Sequence, residues 1–237
     1  MPDSLVAAMP RFLSPLAGLV DQGGPVVLLL LILSLVAVAL ICAKVLQFAF
    51  LGVGRFGSAR EALARWLEGR PQEAATIAAA GKSIAADLML KLIQATGRAD
   101  GNTALLKEDV ERICVGKINT LRAYMRPLDM IAQTAPLIGL LGTVLGMIEA
   151  FRAMQGAGAA VDPSVLAGGI WVALLTTAVG LSIAIPVSAA VGWLDSRIET
   201  EQSEMEALVT AFFTGAVAER GGARVLPFEA TEPRHAV

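Results

Sequence analysis

The sequence has little of the chemistry that soluble enzymes use. Its 237 residues include one histidine, His235, and two cysteines, Cys42 and Cys114. Two cysteines give no disulfide framework and no metal-ligand spacing, and a lone histidine near the end excludes a mechanism that needs a buried imidazole. Charged residues make up 17 % of the chain, below the roughly one quarter of an average soluble domain. This composition argues against a soluble globular domain. The net charge of −2 offers no basic excess for nucleic acid.

Three long apolar stretches are nearly free of charge. They are residues 25–54, interrupted only by Lys44, residues 130–148 and residues 163–194. A bilayer core needs roughly 20 helical residues to cross it, so we expect one crossing in each stretch. The third would be ~48 Å long as a straight helix, too short for two crossings and a turn. The sequence therefore predicts an all-α, polytopic membrane protein with three transmembrane helices.

Basic residues give the expected orientation. Twelve of the nineteen Lys and Arg residues lie in residues 55–126, and such residues favour the cytoplasmic side. We therefore expect a periplasmic N-terminus and a cytoplasmic C-terminus in a bacterial inner membrane. Lys44, near the cytoplasmic end of the first crossing, is expected to snorkel to the interface. The predicted segments are a periplasmic N-terminal segment (1–24), transmembrane helix 1 (25–54), a cytoplasmic helical domain (55–126), transmembrane helix 2 (127–151), a periplasmic loop (152–164), transmembrane helix 3 (165–194), a cytoplasmic helix (195–220) and a disordered tail (221–237).

Glycine and proline mark the ends of the helices outside the membrane. Gly23-Gly24-Pro25 should separate an interfacial N-terminal segment from the first crossing. Helices are predicted over residues 55–68, 71–80 and 82–96, followed by one that Asn102 or Thr103 caps and that leads straight into the second crossing. The third crossing should continue past Trp193 as far as Gly221-Gly222. Its predicted apolar face is Ile198, Met205, Leu208 and Phe212, opposite Glu199, Glu201, Glu204 and Glu206.

One segment resembles the end of a phosphate-binding loop. Gly81-Lys82-Ser83 matches that end, but Thr76 stands where the pattern requires a glycine, and the residues before it are an alanine-rich helix. We interpret the segment as a helix break followed by a serine.

The second and third crossings carry small residues where helices can approach closely. Gly142 and Gly146 form a G-x-x-x-G pair to which Gly139 adds, and Gly180 lies on the third crossing between Thr177 and Ala184. Pro136 removes one hydrogen bond and should kink its helix, and Pro186 is a second candidate kink. Three helices, two of them rich in glycine, cannot fill their own interior, so we expect a homo-oligomer.

Hydroxyl groups accompany these glycines. Thr143, Thr176 and Thr177 suggest a polar lining between subunits, although Thr143 could instead bond the carbonyl four residues earlier in its own helix. Glu149 either pairs with Arg152 at the interface or forms a carboxylate at a pore mouth. The stretches hold no carboxylate at mid-membrane, so a proton path built by this chain alone would lack a titrating group.

Two segments resemble a known family. The sequences PLIGLLGTVLGMIEAF (residues 136–151) and ALLTTAVGLSIAIP (residues 173–186) strongly resemble the MotA/TolQ/ExbB proton channel family. Three helices and an outside N-terminus point to its ExbB/TolQ branch. The resemblance implies a pentamer with a pore lined by the second and third helices. Two single-span subunits, ExbD-like or TolR-like, would lie inside and supply the proton-carrying carboxylate.

The resemblance also implies a function. Thr143 and Thr177 would line the proton route, and Thr176 and Glu149 complete the candidate ion pathway. Proton flow would move the partner and transmit force to a TonB-like or TolA-like protein in the periplasm. The helix-packing residues would be Gly139, Gly142, Gly146 and Gly180.

One position departs from the family pattern and leaves an alternative open. The ExbB/TolQ pattern usually has a glutamate directly before the Ala-Leu-Leu-Thr-Thr run, where this chain has Val172. A membrane scaffold of the same fold that conducts nothing is therefore the second hypothesis. An intramembrane enzyme would need a Ser/His pair, paired aspartates or a zinc set at membrane depth. The sequence has none of these, so we expect no enzymatic activity, metal or cofactor.

Overall fold

The computed structural model describes residues 14–97, 103–156 and 163–215, and these residues are helical apart from short connections. No strand occurs within them, which confirms the all-α prediction. The first 13 residues, residues 98–102 with Asn102, the 157–162 part of the predicted periplasmic loop and the predicted tail 221–237 lie outside the described residues. In the described ranges the helices are α1 (Ser14–Leu51), α2 (Gly57–Leu67), α3 (Pro71–Ala80), α4 (Ile84–Thr96), α5 (Thr103–Arg122), α6 (Met125–Gly156) and α7 (Pro163–Thr214).

Within the part of the chain that the structure describes, three helical segments are long and apolar enough to cross a membrane, as the sequence predicted. They are Gly23–Leu51 in α1, Leu106–Gln155 across α5 and α6, and Leu166–Thr214 in α7.

The predicted break at Gly23-Gly24-Pro25 is confirmed. Gly24 has φ 62° and ψ −157°, which interrupts the helical geometry of α1. Residues with a Cβ atom rarely adopt this conformation, so glycine permits the bend. Pro25 then starts the longer part of α1, where its missing N–H costs no helical hydrogen bond.

The described residues fall into two compact units, one within Met1–Arg55 and Glu111–Gln202 and one within Phe56–Val110 and Ser203–Val237. In the first unit α1 contacts α6. One side of α1 is buried and the opposite side is exposed, with Leu35 at 72 % and Phe50 at 82 %. Such an exposed apolar side suits lipid. The buried residues recur at multiples of three and four, namely Val27, Leu30, Ala37, Lys44 and Phe48.

The second unit contains the short helices α2, α3 and α4, which pack on one another. Trp66 of α2 stacks on Phe212 of α7, with ring centroids 4.8 Å apart. Between α3 and α4, Gly81 is extended and the Ser83 hydroxyl oxygen accepts a hydrogen bond from the Ala86 amide. Gly81-Lys82-Ser83 is thus a helix break followed by a serine, as interpreted from the sequence, and the structure adds that this serine caps α4. The bounds of α2 and α4 agree with prediction to within two residues.

The expected continuity between α5 and the second crossing is wrong. The helix is interrupted at Ala123 and Tyr124, and Tyr124 has φ 63°, outside the helical region. Helical periodicity on both sides of a single break looks continuous in sequence, so no residue type marked this one. A left-handed tyrosine is uncommon and costs free energy unless its surroundings hold it there.

The third apolar stretch does continue past Trp193, but α7 ends at Thr214 rather than at Gly221-Gly222. Gly215 has φ 72°, and its amide donates to the Ala211 carbonyl. A glycine in the left-handed conformation is a common helix terminator. With 52 residues, α7 is ~78 Å long at 1.5 Å per residue.

The faces of this part of α7 were predicted correctly except for one residue. Ile198, Met205, Leu208 and Phe212 are buried, but Glu201 is also fully buried. Residues 198, 201, 205, 208 and 212 are spaced by three and four, so Glu201 falls on the apolar stripe and not opposite it. Its spacing could have shown this, but its charge suggested the polar face.

Candidate functional site

A seam of small residues joins α6 and α7. The two helices run antiparallel there, because residues that rise along α6 contact residues that descend along α7. Gly139 lies beside Thr177 and Gly180, Gly142 beside Thr176, Gly146 beside Ala173, and Ala150 beside Gly169. We call this the glycine seam.

The backbones in the glycine seam are too close to admit side chains. A Cβ atom added to Gly180 would lie 2.7 Å from the Ala135 carbonyl oxygen, and one on Gly139 would lie 2.9 Å from the Thr176 carbonyl oxygen. On Gly142 it would lie 2.6 Å from the Thr176 hydroxyl oxygen. All these distances are below normal contact, so the seam requires glycine. The structure thus brings Gly139, Gly142, Gly146 and Gly180 together, and it does so within one chain.

The three candidate threonines lie in or beside this seam. Thr176 is buried, and its hydroxyl donates to the Ala173 carbonyl at 2.7 Å and approaches the Gly139 carbonyl at 3.3 Å. Thr177 is half-buried and donates across the seam to the same Gly139 carbonyl oxygen, at 3.2 Å. The structure therefore places Thr176, rather than Thr177, at the centre of the contact between the helices.

Thr143 is half-buried and bonds within its own helix. Its hydroxyl donates to the Leu140 carbonyl oxygen at 2.7 Å, three residues back. The sequence had offered a carbonyl four residues back as one alternative. A hydroxyl that donates to backbone keeps acceptor capacity on its oxygen. Thr143 and Thr177 can therefore each still accept a hydrogen bond from water or from another chain.

An ion pair between Glu149 and Arg152, one of the two interpretations of these residues, is absent from the described part of the chain. Both side chains are exposed near the end of α6, and no ion pair joins them there. Exposed pairs on a helix surface gain little free energy, which does not offset the cost of ordering two long side chains. Glu149 is thus an exposed carboxylate at the end of the seam-forming helix.

The two candidate kink prolines both lie within long helices. Pro136 and Pro186 lie inside α6 and α7, which continue on both sides of them. Among the described residues, no group of His, Cys, Asp or Glu could hold a metal ion.

The part of the chain that forms the seam is similar to a known family. The sequence model of the MotA/TolQ/ExbB proton channel family matches residues 80–207, more than half of the chain. The chain belongs to this family. The match contains both seam-forming segments, α6 and most of α7. Members of the MotA/TolQ/ExbB family are channel proteins that energise transport and are not classical enzymes.

Curated relatives agree with the ExbB/TolQ branch of that family. A putative biopolymer transport protein ExbB homolog of Methanothermobacter thermautotrophicus is 33 % identical over 44 % of this chain and 37 % of its own length. Biopolymer transport protein exbB1 of Vibrio cholerae is 42 % identical over 35 % of this chain and 36 % of its own. Tol-Pal system protein TolQ of Haemophilus influenzae is 36 % identical over 41 % of this chain and 42 % of its own. The chain thus spans about two fifths of the length of these relatives.

Sequence reasoning missed where Lys44 lies. The prediction that it snorkels is wrong, because the side chain is 2 % exposed. Its Nζ donates to the Leu121 carbonyl oxygen at 2.5 Å and to Oε1 of Gln47 at 2.9 Å. The break after α5 leaves that carbonyl without its helical partner, so an acceptor is available inside the protein. The one available signal was spacing, since Lys44 continues the buried stripe of α1.

Proposed function

We propose that this chain is the pore-forming subunit of a motor complex driven by the proton-motive force. It would assemble as a pentamer in the bacterial inner membrane, around an ExbD-like or TolR-like subunit with one transmembrane helix. Proton flow would move that partner and energise a TonB-like or TolA-like protein across the periplasm. The observation that carries the proposal is the glycine seam in a chain of the MotA/TolQ/ExbB family, with Thr143 and Thr177 beside it.

The charge distribution supports a borrowed titrating group. Residues 130–148 and 163–194 contain no ionisable side chain, although α6 and α7 form the seam. A proton path along these helices needs a group that binds and releases protons, and hydroxyls do not titrate in the physiological range. The partner's carboxylate would supply this chemistry.

The two threonines would hold the proton route beside that carboxylate. Their oxygens can accept a hydrogen bond while their hydrogens bond the backbone of α6, at Leu140 for Thr143 and at Gly139 for Thr177. A fixed acceptor can order water next to an acid. Thr176, whose hydroxyl is buried in the seam, would act by maintaining the spacing between helices. Glu149 would form the carboxylate at the periplasmic mouth.

Proton uptake by liposomes tests this function. The chain and its single-span partner are co-reconstituted, a potassium gradient with valinomycin sets the voltage, and an internal pH dye reports uptake. We expect uptake only when both subunits are present. Thr143→Val and Thr177→Val should each slow it about tenfold, equivalent to about 1.4 kcal/mol in the barrier. Thr200→Val is the matched control, because Thr200 is exposed, bonds the Ser196 carbonyl in its own helix and lies outside the predicted crossings.

Two results would contradict the proposal. Uptake that persists in the Thr143→Val/Thr177→Val double variant would remove the threonines from the route. Uptake by the chain without its partner would show that the carboxylate is not borrowed.

Val172 favours one second candidate, a scaffold that assembles with the partner but conducts nothing. In this reading the missing glutamate removes a group that the pathway needs, since carboxylates at membrane depth are costly and retained for function. An assembled complex that takes up no protons, and that gains uptake with Val172→Glu, would support the scaffold.

A further inference from the structure

Two ionisable side chains are buried in the unit that contains the glycine seam. Lys44 on α1 is 2 % exposed and Glu201 on α7 is 0 % exposed. Neither belongs to the seam or to the candidate ion pathway. Burial of such groups is costly unless hydrogen bonds compensate for lost hydration. Both therefore require an explanation from their surroundings.

Lys44 lies against the carbonyl end of α5. Its Nζ donates to the Leu121 carbonyl oxygen, and the neighbouring Gln47 donates through Nε2 to the Thr120 carbonyl oxygen at 3.3 Å. The last carbonyls of a helix have no partner within it, and they carry partial negative charge that favours a cationic donor. Residues of α1 thus cap a helix that is more than 70 positions away in sequence.

This cap is positioned directly before the start of α6. Only Ala123 and Tyr124 separate α5 from α6, and the left-handed Tyr124 turns the chain between them. The direction in which α6 leaves this turn depends on where α5 ends. Since Lys44 and Gln47 hold that end, α1 constrains the start of a seam-forming helix.

Glu201 lies on the other seam-forming helix, α7, and makes the corresponding contact with the end of α1. Its Oε2 accepts a hydrogen bond from the Gly54 amide at 2.7 Å. Gly54 has φ 82° and belongs to the turn that follows α1. The carboxylate of α7 is therefore bonded to the backbone at the end of α1.

We propose that Lys44 and Glu201 are positioning residues that make α1 a strut. The strut fixes the start of α6 and the part of α7 that follows the predicted third crossing. We call the contacts of Lys44, Gln47 and Glu201 the strut joint. The effect on conduction rests on the proposed function, whereas the strut joint itself does not. The first helix is then more than an anchor facing lipid, because it sets how the two seam-forming helices enter the membrane.

Hydrogen–deuterium exchange measures the joint independently of conduction. The full chain is purified with its single-span partner, and exchange is followed in peptides covering residues 52–55 and 120–128. Glu201→Leu should make the Gly54 amide exchange about tenfold faster, while Glu201→Gln, which keeps an acceptor, should change it less. Lys44→Met should speed exchange over residues 120–128 about tenfold, and Lys44→Arg, which keeps a cationic donor, should restore part of the protection.

Proton uptake per assembled particle tests whether the strut joint affects conduction. Lys44→Met and Glu201→Leu should lower it at least severalfold, with Lys44→Arg and Glu201→Gln closer to the wild type. Two matched controls remove a charge from an exposed site. Glu199→Gln lies two residues from Glu201, and Lys91→Met breaks an exposed pair with Asp87. Neither control should change exchange at the joint or uptake.

The outcomes separate this inference from the proposed function. Unchanged exchange in both Lys44→Met and Glu201→Leu would overturn the strut joint, whatever the uptake. Faster hydrogen–deuterium exchange with unchanged proton uptake per particle would mean that Lys44 and Glu201 stabilise the fold only. That result would overturn their positioning role. A wild-type complex that takes up no protons would overturn the proposed function, and exchange alone would then decide whether the joint exists. If Lys44→Met prevents folding, Gln47→Leu at a half-buried position tests the same joint.

Discussion

At the scale of single residues, the contact between α6 and α7 depends on glycines, because glycine has no Cβ atom to hold the helices apart. Gly139, Gly142 and Gly180 face the backbone or a short side chain of the other helix at distances that leave no space for a Cβ atom, and Gly146 leaves only a tight fit against Ala173. Because lipid offers no hydrophobic drive for helix association, such close packing supplies much of the attraction. Small residues also let the Thr177 hydroxyl reach the Gly139 carbonyl.

Gly180→Ala should weaken this contact. Its new methyl group would meet the Ala135 carbonyl oxygen at 2.7 Å, and backbone cannot move aside as a flexible side chain can. Overpacking of this kind costs about 1–3 kcal/mol. We expect a lower thermal unfolding midpoint of the purified complex in detergent.

Gly192→Ala is the control for that experiment. Gly192 lies on the same helix, and a Cβ atom there meets nothing within 4 Å. Its midpoint should stay the same or rise, since alanine favours helix by up to about 1 kcal/mol. Equal losses from both substitutions would mean that helix propensity, and not the seam, is responsible.

At the scale of elements, the ends of helices show where the chain is held. α4 begins at a serine that supplies its own cap, whereas α5 ends at carbonyls that α1 must satisfy. The cap of α4 comes from a neighbouring residue in the sequence, whereas the cap of α5 comes from a distant helix. The α5 end therefore depends on a tertiary contact that the α4 start does not need.

Ser83→Ala should destabilise the unit that contains α2, α3 and α4. The substitution leaves the Ala86 amide without its acceptor at a buried position, and loss of such a cap costs about 1 kcal/mol. Chemical denaturation followed by circular dichroism measures the change in the free energy of unfolding.

Two further variants test the capping explanation. Ser83→Asp keeps an acceptor and should retain most of the stability, and Ser203→Ala removes an exposed hydroxyl from α7 and should have little effect. A loss in Ser83→Asp as large as in Ser83→Ala would refute the cap.

At the scale of the whole molecule, the described residues include three helical segments long and apolar enough to cross a membrane. Twelve of the nineteen Lys and Arg residues lie in residues 55–126, between the predicted first and second crossings. If each of these segments crosses the membrane once, the residues before the first and after the third lie on opposite sides. From the excess of Lys and Arg in residues 55–126 we predict that this segment lies in the cytoplasm.

Cysteine labelling should confirm this orientation. In a Cys42→Ala/Cys114→Ala background, Ala160→Cys marks the predicted periplasmic loop and Ser203→Cys marks the predicted cytoplasmic helix. A membrane-impermeant maleimide should label the first in intact spheroplasts and the second only in inverted vesicles. The reverse pattern would invert the orientation and place the long end of α7 in the periplasm.

The sequence by itself determined the features that depend on local composition. Three long apolar stretches, with Lys44 as their one charged residue, predicted the membrane-spanning helices, because a bilayer requires about 20 apolar residues in a row. The spacing of Gly139, Gly142 and Gly146 predicted a closely packed face, since residues three and four apart share one side of a helix. Gly24-Pro25 and Gly81 predicted breaks between helices, because glycine and proline act on their own backbone.

Only the tertiary structure decided which groups face one another. Lys44 was expected to reach water, but it bonds a carbonyl 77 residues away, and Glu201 was expected on a polar face, but it bonds an amide 147 residues away. The same holds for Thr176, which is more buried than Thr177 because Gly142 on the other helix makes room for it. The charge of a side chain and its spacing along the helix indicate which kinds of hydrogen-bond partner it can use. The packing of distant helices determines which of those partners is present.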